Sequence, residues 1–346
     1  MRELMKSINS YIKENPIFLR LAQSAVLASI MEVTAYPKPG NVTQFQSGRD
    51  ATLSHFLVSS CALFPTYLEA VIRGKECVEA DRSLSNLGIG MLVRRGIEQT
   101  QSWGISTNTN LGIILLTIPL LAGAAILKAE NSSLSYDPQR MTEILSKIVK
   151  SSSNNDAINI VHAIQLANPG GLGKVSRFDI NQPLVENEIK MAGINLFDLF
   201  SSCTEMDLIC QEYTTGFKLI LFETVPKLEE FLKQTCLEKA TSLLFLSLLK
   251  EKLDSLIGRK FGTSIAKEIR DRAVELFAPK VTIEFLKNPQ ILQFDKELRE
   301  KGYNPGTFAD IVAATLFCYF YKNLSLDGIN VPLCEPSKNA GRLVLF

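Results

Sequence analysis

The sequence has little of what zinc sites, hydrolytic triads and nucleic-acid-binding surfaces are built from. Its 346 residues contain two histidines, His55 and His162, and seven cysteines without a CxxC pair, so a zinc site is not expected. No Ser-His-Asp or Cys-His arrangement can be supported. The formal net charge is +1 and no lysine- or arginine-rich block stands out, which argues against a nucleic-acid partner.

A signal peptide and long membrane-spanning runs are also missing from the sequence. The odd cysteine count and the absent signal peptide favour reduced thiols in a cytoplasmic protein. The longest apolar run, residues 111–127, is 17 residues long and contains a proline and a glycine. We interpret it as a helix buried in a large core rather than a membrane span, and we expect no membrane partner.

What the sequence does contain is helical periodicity, because apolar residues recur at three- and four-residue spacing while strand-like alternation is nearly absent. With 46% apolar residues the chain can bury a full core. The predicted helices are 16–34, 50–72, 87–102, 110–128, 141–150, 157–167, 196–221, 227–253, 263–277 and 305–321. The sequence therefore predicts an all-α, multi-helix bundle whose active site is built from helix-terminal loops. A boundary near residues 129–155 is an alternative to the single domain that we predict over residues 1–346.

The first segment that suggests chemistry is Pro37-Lys38-Pro39-Gly40, directly after the first predicted helix. The prolines stiffen the backbone and Gly40 permits close approach, so Lys38 is held where it can meet a phosphate as a point charge. Glu32 lies in the last turns of the preceding helix, where a carboxylate gains nothing from the helix dipole and a metal would explain it. Taken alone, the tetrapeptide is better explained as a helix stop with a solvated lysine.

The second segment, Asn304-Pro305-Gly306, is a strong helix start with a capping residue and a proline. We expect the free N–H groups of Gly306 and Thr307 to offer a phosphate site at the positive end of the helix. Asp310 lies one turn further along the same face, where it is placed to hold Mg²⁺. A capped core helix with a surface aspartate is an equally good reading of the local pattern.

Small polar residues form a third segment, residues 104–112, which leads into the apolar helix. Asn108 and Asn110 can cap that helix, and they can also hydrogen-bond a sugar or a phosphate. Glu98, just upstream, is a further candidate carboxylate.

Two further groups of charged residues have a simpler explanation. Arg259 and Lys260 form a basic turn that could reach phosphate, although a solvated turn is commoner. Asp207 and Glu212 are best interpreted as a solvated helix face.

Together these segments resemble the triphosphoribosyl-dephospho-CoA synthase family. The resemblance rests on Glu32-Val33 with Pro37-Lys38-Pro39-Gly40 and Val42, on Asn108-Thr109-Asn110 with Gly112, and on Asn304-Pro305-Gly306 with Ala309-Asp310. It spans most of the chain, and three motifs in register are fairly specific. It implies an all-α fold and transfer of the triphosphoribosyl group of ATP onto the 2′-hydroxyl of dephospho-CoA, with release of adenine. The product is the precursor of the prosthetic group of citrate lyase and malonate decarboxylase acyl carrier proteins.

The sequence departs from the family pattern in two places. The usual N-T-H-K-G segment reads Asn108-Thr109-Asn110-Leu111-Gly112 here, so a histidine and a lysine are missing. The usual middle segment with arginine, glycine and glutamate is not evident, and residues 167–173 occupy its region. The chain is similar to a divergent branch found in archaea and in organisms that use tetrahydromethanopterin. An acceptor other than dephospho-CoA, for example in pterin biosynthesis, therefore stays an alternative.

The resemblance suggests a role for each candidate residue. Phosphate binding falls to Lys38, Gly40, Arg259, Lys260, Asn304 and the amides of Gly306 and Thr307. Asp310, with Glu32 or Asp50, holds Mg²⁺. Glu98 or Asp50 is expected to transfer the proton, and Glu32 is also expected to be catalytic. Asn108 and Asn110 are expected to orient the ribose. The partners are ATP and dephospho-CoA or another small phosphorylated acceptor, and a homo-oligomer is compatible with the sequence. A helical nucleotide-binding protein without catalysis is the alternative of a different class.

Overall fold

The computed structural model describes residues 15–130, 136–171, 178–182, 184–325 and 328–335. Within these ranges the chain folds into helices, and the only β pairing is an isolated bridge between Leu324 and Ile329. The predicted all-α fold is confirmed. The predicted loop at residues 167–173 lies partly outside the described residues.

The described residues form sixteen α-helices. In chain order they are α1 (Pro16–Thr34), α2 (Leu53–Ala62), α3 (Phe64–Glu79), α4 (Ile89–Ser102), α5 (Leu111–Glu130), α6 (Pro138–Ser151), α7 (Asn154–Ala167), α8 (Val185–Ala192), α9 (Leu196–Ser201), α10 (Leu208–Thr215), α11 (Val225–Leu232), α12 (Leu237–Glu251), α13 (Ser255–Phe261), α14 (Thr263–Leu276), α15 (Pro289–Lys301) and α16 (Gly306–Lys322). Short 3₁₀ segments cover Leu84–Leu87 and Ile283–Lys287, and a π-helical segment covers Leu219–Thr224.

Several predicted helices are interrupted in the structure. The predicted helix 50–72 is two helices, α2 and α3, and Pro65 lies in the first turn of α3, where a missing N–H costs nothing. The predicted helix 196–221 ends at Ser201 and restarts at Leu208, because Asp207 caps a new helix there. The residues predicted as a basic turn, 258–262, largely belong to helix α13.

Helix α5 lies at the centre of the molecule. It packs against α1, α3, α4 and α16. Of its most apolar stretch of 18 residues, 94% is buried inside the protein. A helix that is apolar on all sides needs such surroundings on every face. By length and composition alone, three stretches of the described residues could cross a membrane, Pro16–Thr34, Leu53–Glu79 and Leu111–Glu130. For α5, burial within the protein accounts for that composition.

Helices α1 and α16 bring the two ends of the chain together. They pack side by side against α5, so the segment after α1 lies beside the segment before α16. The buried apolar side chains form one cluster that runs from Phe18 to Leu324. The site described below is therefore assembled from residues that are nearly 300 positions apart in the sequence.

Four of the seven cysteines are paired, contrary to the prediction of reduced thiols. Disulfides join Cys203 to Cys210 and Cys236 to Cys334. The first links the turn after α9 to helix α10, and the second links the N-terminus of α12 to the C-terminal segment. Cys203 and Cys210, seven residues apart, come together across a turn.

Candidate functional site

A cavity of about 190 Å³ opens between the start of α5, helix α7, the α9–α10 turn, helix α13 and the first turn of α16. Most of its wall is apolar, from leucine, isoleucine and phenylalanine side chains. The polar residues that line it are Asn108, Asp179, Ser202, Asp207, Arg259, Thr307 and Asp310. An apolar cavity with a few convergent charged groups is the usual form of a small-molecule site.

Asp310 lies in the wall of this cavity, one turn into α16. It is partly exposed and fits against Gly112, where any added Cβ would overlap the carboxylate. Burial, followed by the charges of Glu32 and Asp254, raises the pKa of Asp310 well above its ordinary value, whereas Arg259 acts to lower it. The structure thus brings the third and second sequence motifs into direct contact.

Arg259 supplies the positive charge of the cavity. It lies on α13 and forms an ion pair with Asp207, which also lines the cavity. Its buried Nε–H has no hydrogen-bond partner among the described residues. A guanidinium presents five N–H donors, so Arg259 can keep its contact with Asp207 and still bind an anionic group. Lys260 is exposed on the same helix, and its side chain lies over Gly170 and Gly171 instead of lining the cavity.

Glu32 and Lys38 form a buried ion pair, which corrects the expectation of a solvent-facing lysine. Each residue is 1% exposed, and the ammonium of Lys38 contacts Glu32 and lies 5.9 Å from the ring centre of Phe245. Burial raises the pKa of Glu32 and lowers that of Lys38, while their mutual attraction acts in the opposite direction for each. Neither charge is free for phosphate or metal in this arrangement.

The Gly40 loop is held against the loop that precedes α16. The N–H of Gly40 donates to Asp295 Oδ1 at 2.7 Å, and Asn41 Nδ2 donates to Asn304 Oδ1 at 3.0 Å. Gly40 has a φ of 78°, and a Cβ there would overlap the carbonyl oxygen of Tyr303. Asn304 was expected to cap α16, but the residue at the cap position is Pro305 and the Asn304 side chain joins the two loops instead.

The N-terminus of α16 already holds an anion, namely the carboxylate of Asp254. Its Oδ2 accepts from the N–H of Phe308 at 3.1 Å, and the N–H of Thr307 also acts on this carboxylate. The N–H of Gly306 donates to the carbonyl of Asn304 at 2.8 Å. The expected phosphate site at the Gly306 and Thr307 amides is therefore occupied by a protein side chain. The Thr307 side chain still lines the cavity.

The remaining predicted residues are divided between the cavity and the surface. Asn108 lines the cavity, and its Oδ1 accepts from the N–H of Leu111 at 3.1 Å. Asn110 is buried, with its Nδ2 bonded to Ser59 and its Oδ1 without a partner in the described structure. Asp50 and Glu98 are both exposed and neither lines the cavity, and Glu98 pairs with Arg94 on its own helix.

Sequence reasoning missed the carboxylates that organise the site. Asp254 precedes Ser255-Leu256-Ile257 and accepts from the N–H of Ile257 at 2.9 Å, a helix-start pattern that could have revealed α13. Asp207 caps α10 and pairs with Arg259, and Glu212 is buried, so neither belongs to a solvated face. No local signal identifies Arg259 as the partner of Asp207, because they are 52 residues apart.

Of the two residues Asp310 and Glu32, which were expected to bind Mg²⁺, one fits that role. Asp310 lines the cavity, which suits an ion that also takes phosphate oxygens and water. Glu32 does not fit, since Lys38 occupies its carboxylate. Among the described residues, Cys236, Glu238 and Cys334 also lie close together, but the two cysteines are joined in a disulfide and none of the three lines the cavity.

Comparisons with known proteins identify the family and the fold. The family model for CitG, ATP:dephospho-CoA triphosphoribosyl transferase, matches residues 18–327. Protein CitXG of Haemophilus influenzae is 22% identical over 322 residues, which cover 91% of this chain but 63% of that protein. A crystal structure from Archaeoglobus fulgidus, described as a triphosphoribosyl-dephospho-CoA synthase, has a similar fold, with a TM-score of 0.56 and 23% identity. That likeness covers 77% of this chain and 98% of the archaeal one.

Proposed function

Because the chain belongs to the ATP:dephospho-CoA triphosphoribosyl transferase family, we propose that it transfers the triphosphoribosyl group of ATP onto the 2′-hydroxyl of dephospho-CoA. The bond from C1′ of the ATP ribose to adenine breaks, a new bond to the acceptor oxygen forms, and the hydroxyl proton ends on adenine. The observation that carries the proposal is the single cavity shared by Asn108, Gly112, Arg259 and Asp310.

Arg259 is our candidate for binding the triphosphate. It is the arginine that lines the cavity, and its Nε–H has no partner in the described structure. A guanidinium fixed between Asp207 and Asp310 would orient the anionic chain and hold C1′ near the acceptor. Asn108, which also lines the cavity, is placed to hydrogen-bond the ribose.

The proton of the acceptor hydroxyl needs a carboxylate inside the cavity. Asp207 already pairs with Arg259, which leaves Asp179 and Asp310. Asp179 is 8% exposed, and its Oδ1 accepts from Asn181, whereas its second oxygen has no hydrogen bond within the described part of the chain. We assign proton transfer to Asp179 in place of Glu98 or Asp50, which are on the surface.

We propose that Asp310 holds Mg²⁺ together with the triphosphate. A metal bound there would neutralise charge on the phosphates. The cytoplasm is the compartment we propose for this chemistry, with ATP and dephospho-CoA as partners and with neither nucleic acid nor membrane. The near-neutral charge and the lack of a basic block support the absence of a nucleic-acid partner, whereas the two disulfides lend no support to the cytoplasmic assignment.

Detection of free adenine by mass spectrometry tests the proposal. With ATP, Mg²⁺ and dephospho-CoA, we expect adenine only when the acceptor is present, together with an adduct that carries the triphosphoribosyl mass. Asp310→Asn and Arg259→Met should each lower the rate by about 100-fold. Glu98→Gln, which changes an exposed carboxylate outside the cavity, is the matched control and should keep the wild-type rate. An unchanged rate in Asp310→Asn would remove that residue from the mechanism.

The composition of the cavity wall favours one alternative, a different acceptor. Leu111, which stands where the family pattern has lysine, lines the cavity and makes that wall apolar. Adenine release with another phosphorylated acceptor, but not with dephospho-CoA, would support this second function. Leu111→Lys should then raise activity with dephospho-CoA. Nucleotide binding without turnover across an acceptor panel would instead indicate a non-catalytic binding protein.

A further inference from the structure

The N-termini of two helices, α13 and α16, meet at one buried carboxylate, that of Asp254. Oδ1 accepts from the N–H of Ile257 at 2.9 Å in α13, and Oδ2 accepts from the N–H of Phe308 at 3.1 Å in α16. The residue is 3% exposed. A second bond reinforces the junction, because the N–H of Leu256 donates to Thr307 Oγ1 at 3.1 Å.

Each of these helices carries one charged group of the cavity. Arg259 lies five residues after Asp254 on α13, and Asp310 lies two residues after Phe308 on α16. A shift of either helix start would change the separation between guanidinium and carboxylate. Asp254 itself does not line the cavity, so it is not expected to touch a substrate.

The surroundings of Asp254 favour its charged form, even though burial disfavours a charge. The positive ends of two helix dipoles and four backbone N–H groups act on one carboxylate. Burial is the larger influence and raises the pKa of Asp254 to about 7. Each oxygen of Asp254 binds a different helix start, so losing one oxygen as an acceptor removes the carboxylate link and leaves the bond from Leu256 to Thr307.

We propose that Asp254 is a positioning residue that sets the geometry between Arg259 and Asp310. The inference rests on the proposed function for its kinetic test, but it also has a binding test that needs no turnover. In Asp254→Asn, one oxygen is replaced by an N–H₂ group that cannot accept from a backbone N–H. One of the two helix starts then faces a donor instead of an acceptor.

Kinetics of Asp254→Asn are the first test. We expect kcat to fall by about 10- to 100-fold with a smaller change in KM, as for a displaced catalytic group. The matched control is Glu212→Gln, another buried carboxylate that accepts two backbone N–H bonds, from Leu219 and Ile220 at 3.0 Å each. It lies outside the cavity lining, so it should lose stability and keep kcat. Equal kcat losses in both variants would overturn the proposal.

Binding of inorganic tripolyphosphate, measured by calorimetry, separates this proposal from the proposed function. If Asp254 acts through Arg259, Asp254→Asn should weaken binding in the wild-type background but not in the Arg259→Met background. Additive effects of the two substitutions would overturn the positioning role. Absence of adenine release from the wild type, with this coupling intact, would count against the transferase function alone.

If Asp254→Asn does not fold, a pair of Thr307 variants tests the same link between the two helix starts. Thr307→Val removes the acceptor of the Leu256 N–H, whereas Thr307→Ser keeps it. We expect Thr307→Val to reduce kcat in the same direction and Thr307→Ser to restore it. Wild-type kcat in Thr307→Val, with wild-type tripolyphosphate affinity, would contradict a link between the two helix starts.

Discussion

At the scale of single residues, the buried charges of Glu32 and Lys38 show how context decides what a motif does. Both stand in the first segment that suggested chemistry, where Lys38 was expected to meet a phosphate, yet each neutralises the other inside the core. An isolated charge at such depth is strongly disfavoured, so the two residues depend on each other. Their effect on the site is electrostatic, because the charge of Glu32 helps to raise the pKa of Asp310.

Removing one member of this pair should cost more stability than removing both. We expect Lys38→Met or Glu32→Gln alone to lower the free energy of unfolding by about 3–5 kcal/mol, because the partner loses its counter-charge. The double variant Glu32→Gln/Lys38→Met should be more stable than the sum of the single effects predicts. Urea unfolding followed by circular dichroism measures each value. Simple additivity would show that the two charges are not coupled.

Glu212 makes the stability of the protein depend on pH, and the burial of its carboxyl group sets the direction of that dependence. Burial, opposed by two backbone N–H bonds, raises the pKa of Glu212 to about 7 from an ordinary value of 4.5. The folded state therefore binds this proton more tightly than the unfolded state does. The resulting stability is present below pH 4.5 and is lost as the pH rises to about 7, which amounts to about 3 kcal/mol.

Glu212→Gln should remove this share of the pH dependence. Free energies of unfolding from pH 4.5 to 7.5 would fall less steeply in the variant than in the wild type. Glu98→Gln, an exposed substitution, serves as the control and should leave the slope unchanged. Parallel curves for Glu212→Gln and wild type would show that Glu212 titrates normally.

At the scale of elements, close contacts between helices place the cavity groups. The first turn of α5 lies against Asp310 of α16 at Gly112, and no side chain fits between them. The family resemblance includes this glycine, and the structure supplies the steric reason for it. The helix positions were largely predictable, since α1, α4, α5, α14 and α16 lie within a few residues of the predicted ranges. The helices α8, α13 and α15 were not predicted, because each is short or weakly apolar.

Gly112→Ala and Gly258→Ala form a matched pair that tests the α5–α16 contact. A Cβ at Gly112 would overlap the Asp310 carboxylate, so we expect a loss of about 1–3 kcal/mol in stability and a loss of activity. A Cβ at Gly258, within α13, meets nothing within 4 Å. Gly258→Ala should be neutral or stabilise by about 0.5–1 kcal/mol. Urea unfolding and the adenine assay measure both effects, and equal results for the two variants would contradict the close approach.

At the scale of the whole molecule, the fold brings helices from the two ends of the chain into contact. Helices α1 and α16 pack together beside α5, and Cys334 in the C-terminal segment is joined to Cys236 at the start of α12. The cavity takes its wall from six separate parts of the chain, including residues 178–180. Contacts between residues far apart in sequence thus account for the core and for the site alike.

The two disulfides should differ in their effect on stability. Cys236 and Cys334 are 98 residues apart, whereas Cys203 and Cys210 are 7 apart. On the chain-entropy model, Cys236→Ser should cost about 4–5 kcal/mol and Cys203→Ser about 2.5 kcal/mol. Urea unfolding without reductant measures both losses, and excess dithiothreitol should abolish the difference between wild type and each variant. Identical wild-type unfolding with and without dithiothreitol would show that these pairs are not disulfides in solution.

The sequence by itself determined the all-α class, most helix positions and the motifs that mark the family, because periodicity, capping residues and prolines act locally. It also identified Arg259, Thr307 and Asp310 as residues of interest. Which charges are free depends on the packing of the whole chain. Lys38 forms an ion pair with Glu32, and the carboxylate of Asp254 accepts from the N-terminus of α16. Asp207 and Arg259 form an ion pair although they are 52 residues apart. The physical reason is that burial and pairing depend on the packing of distant segments, on which local sequence patterns carry no information.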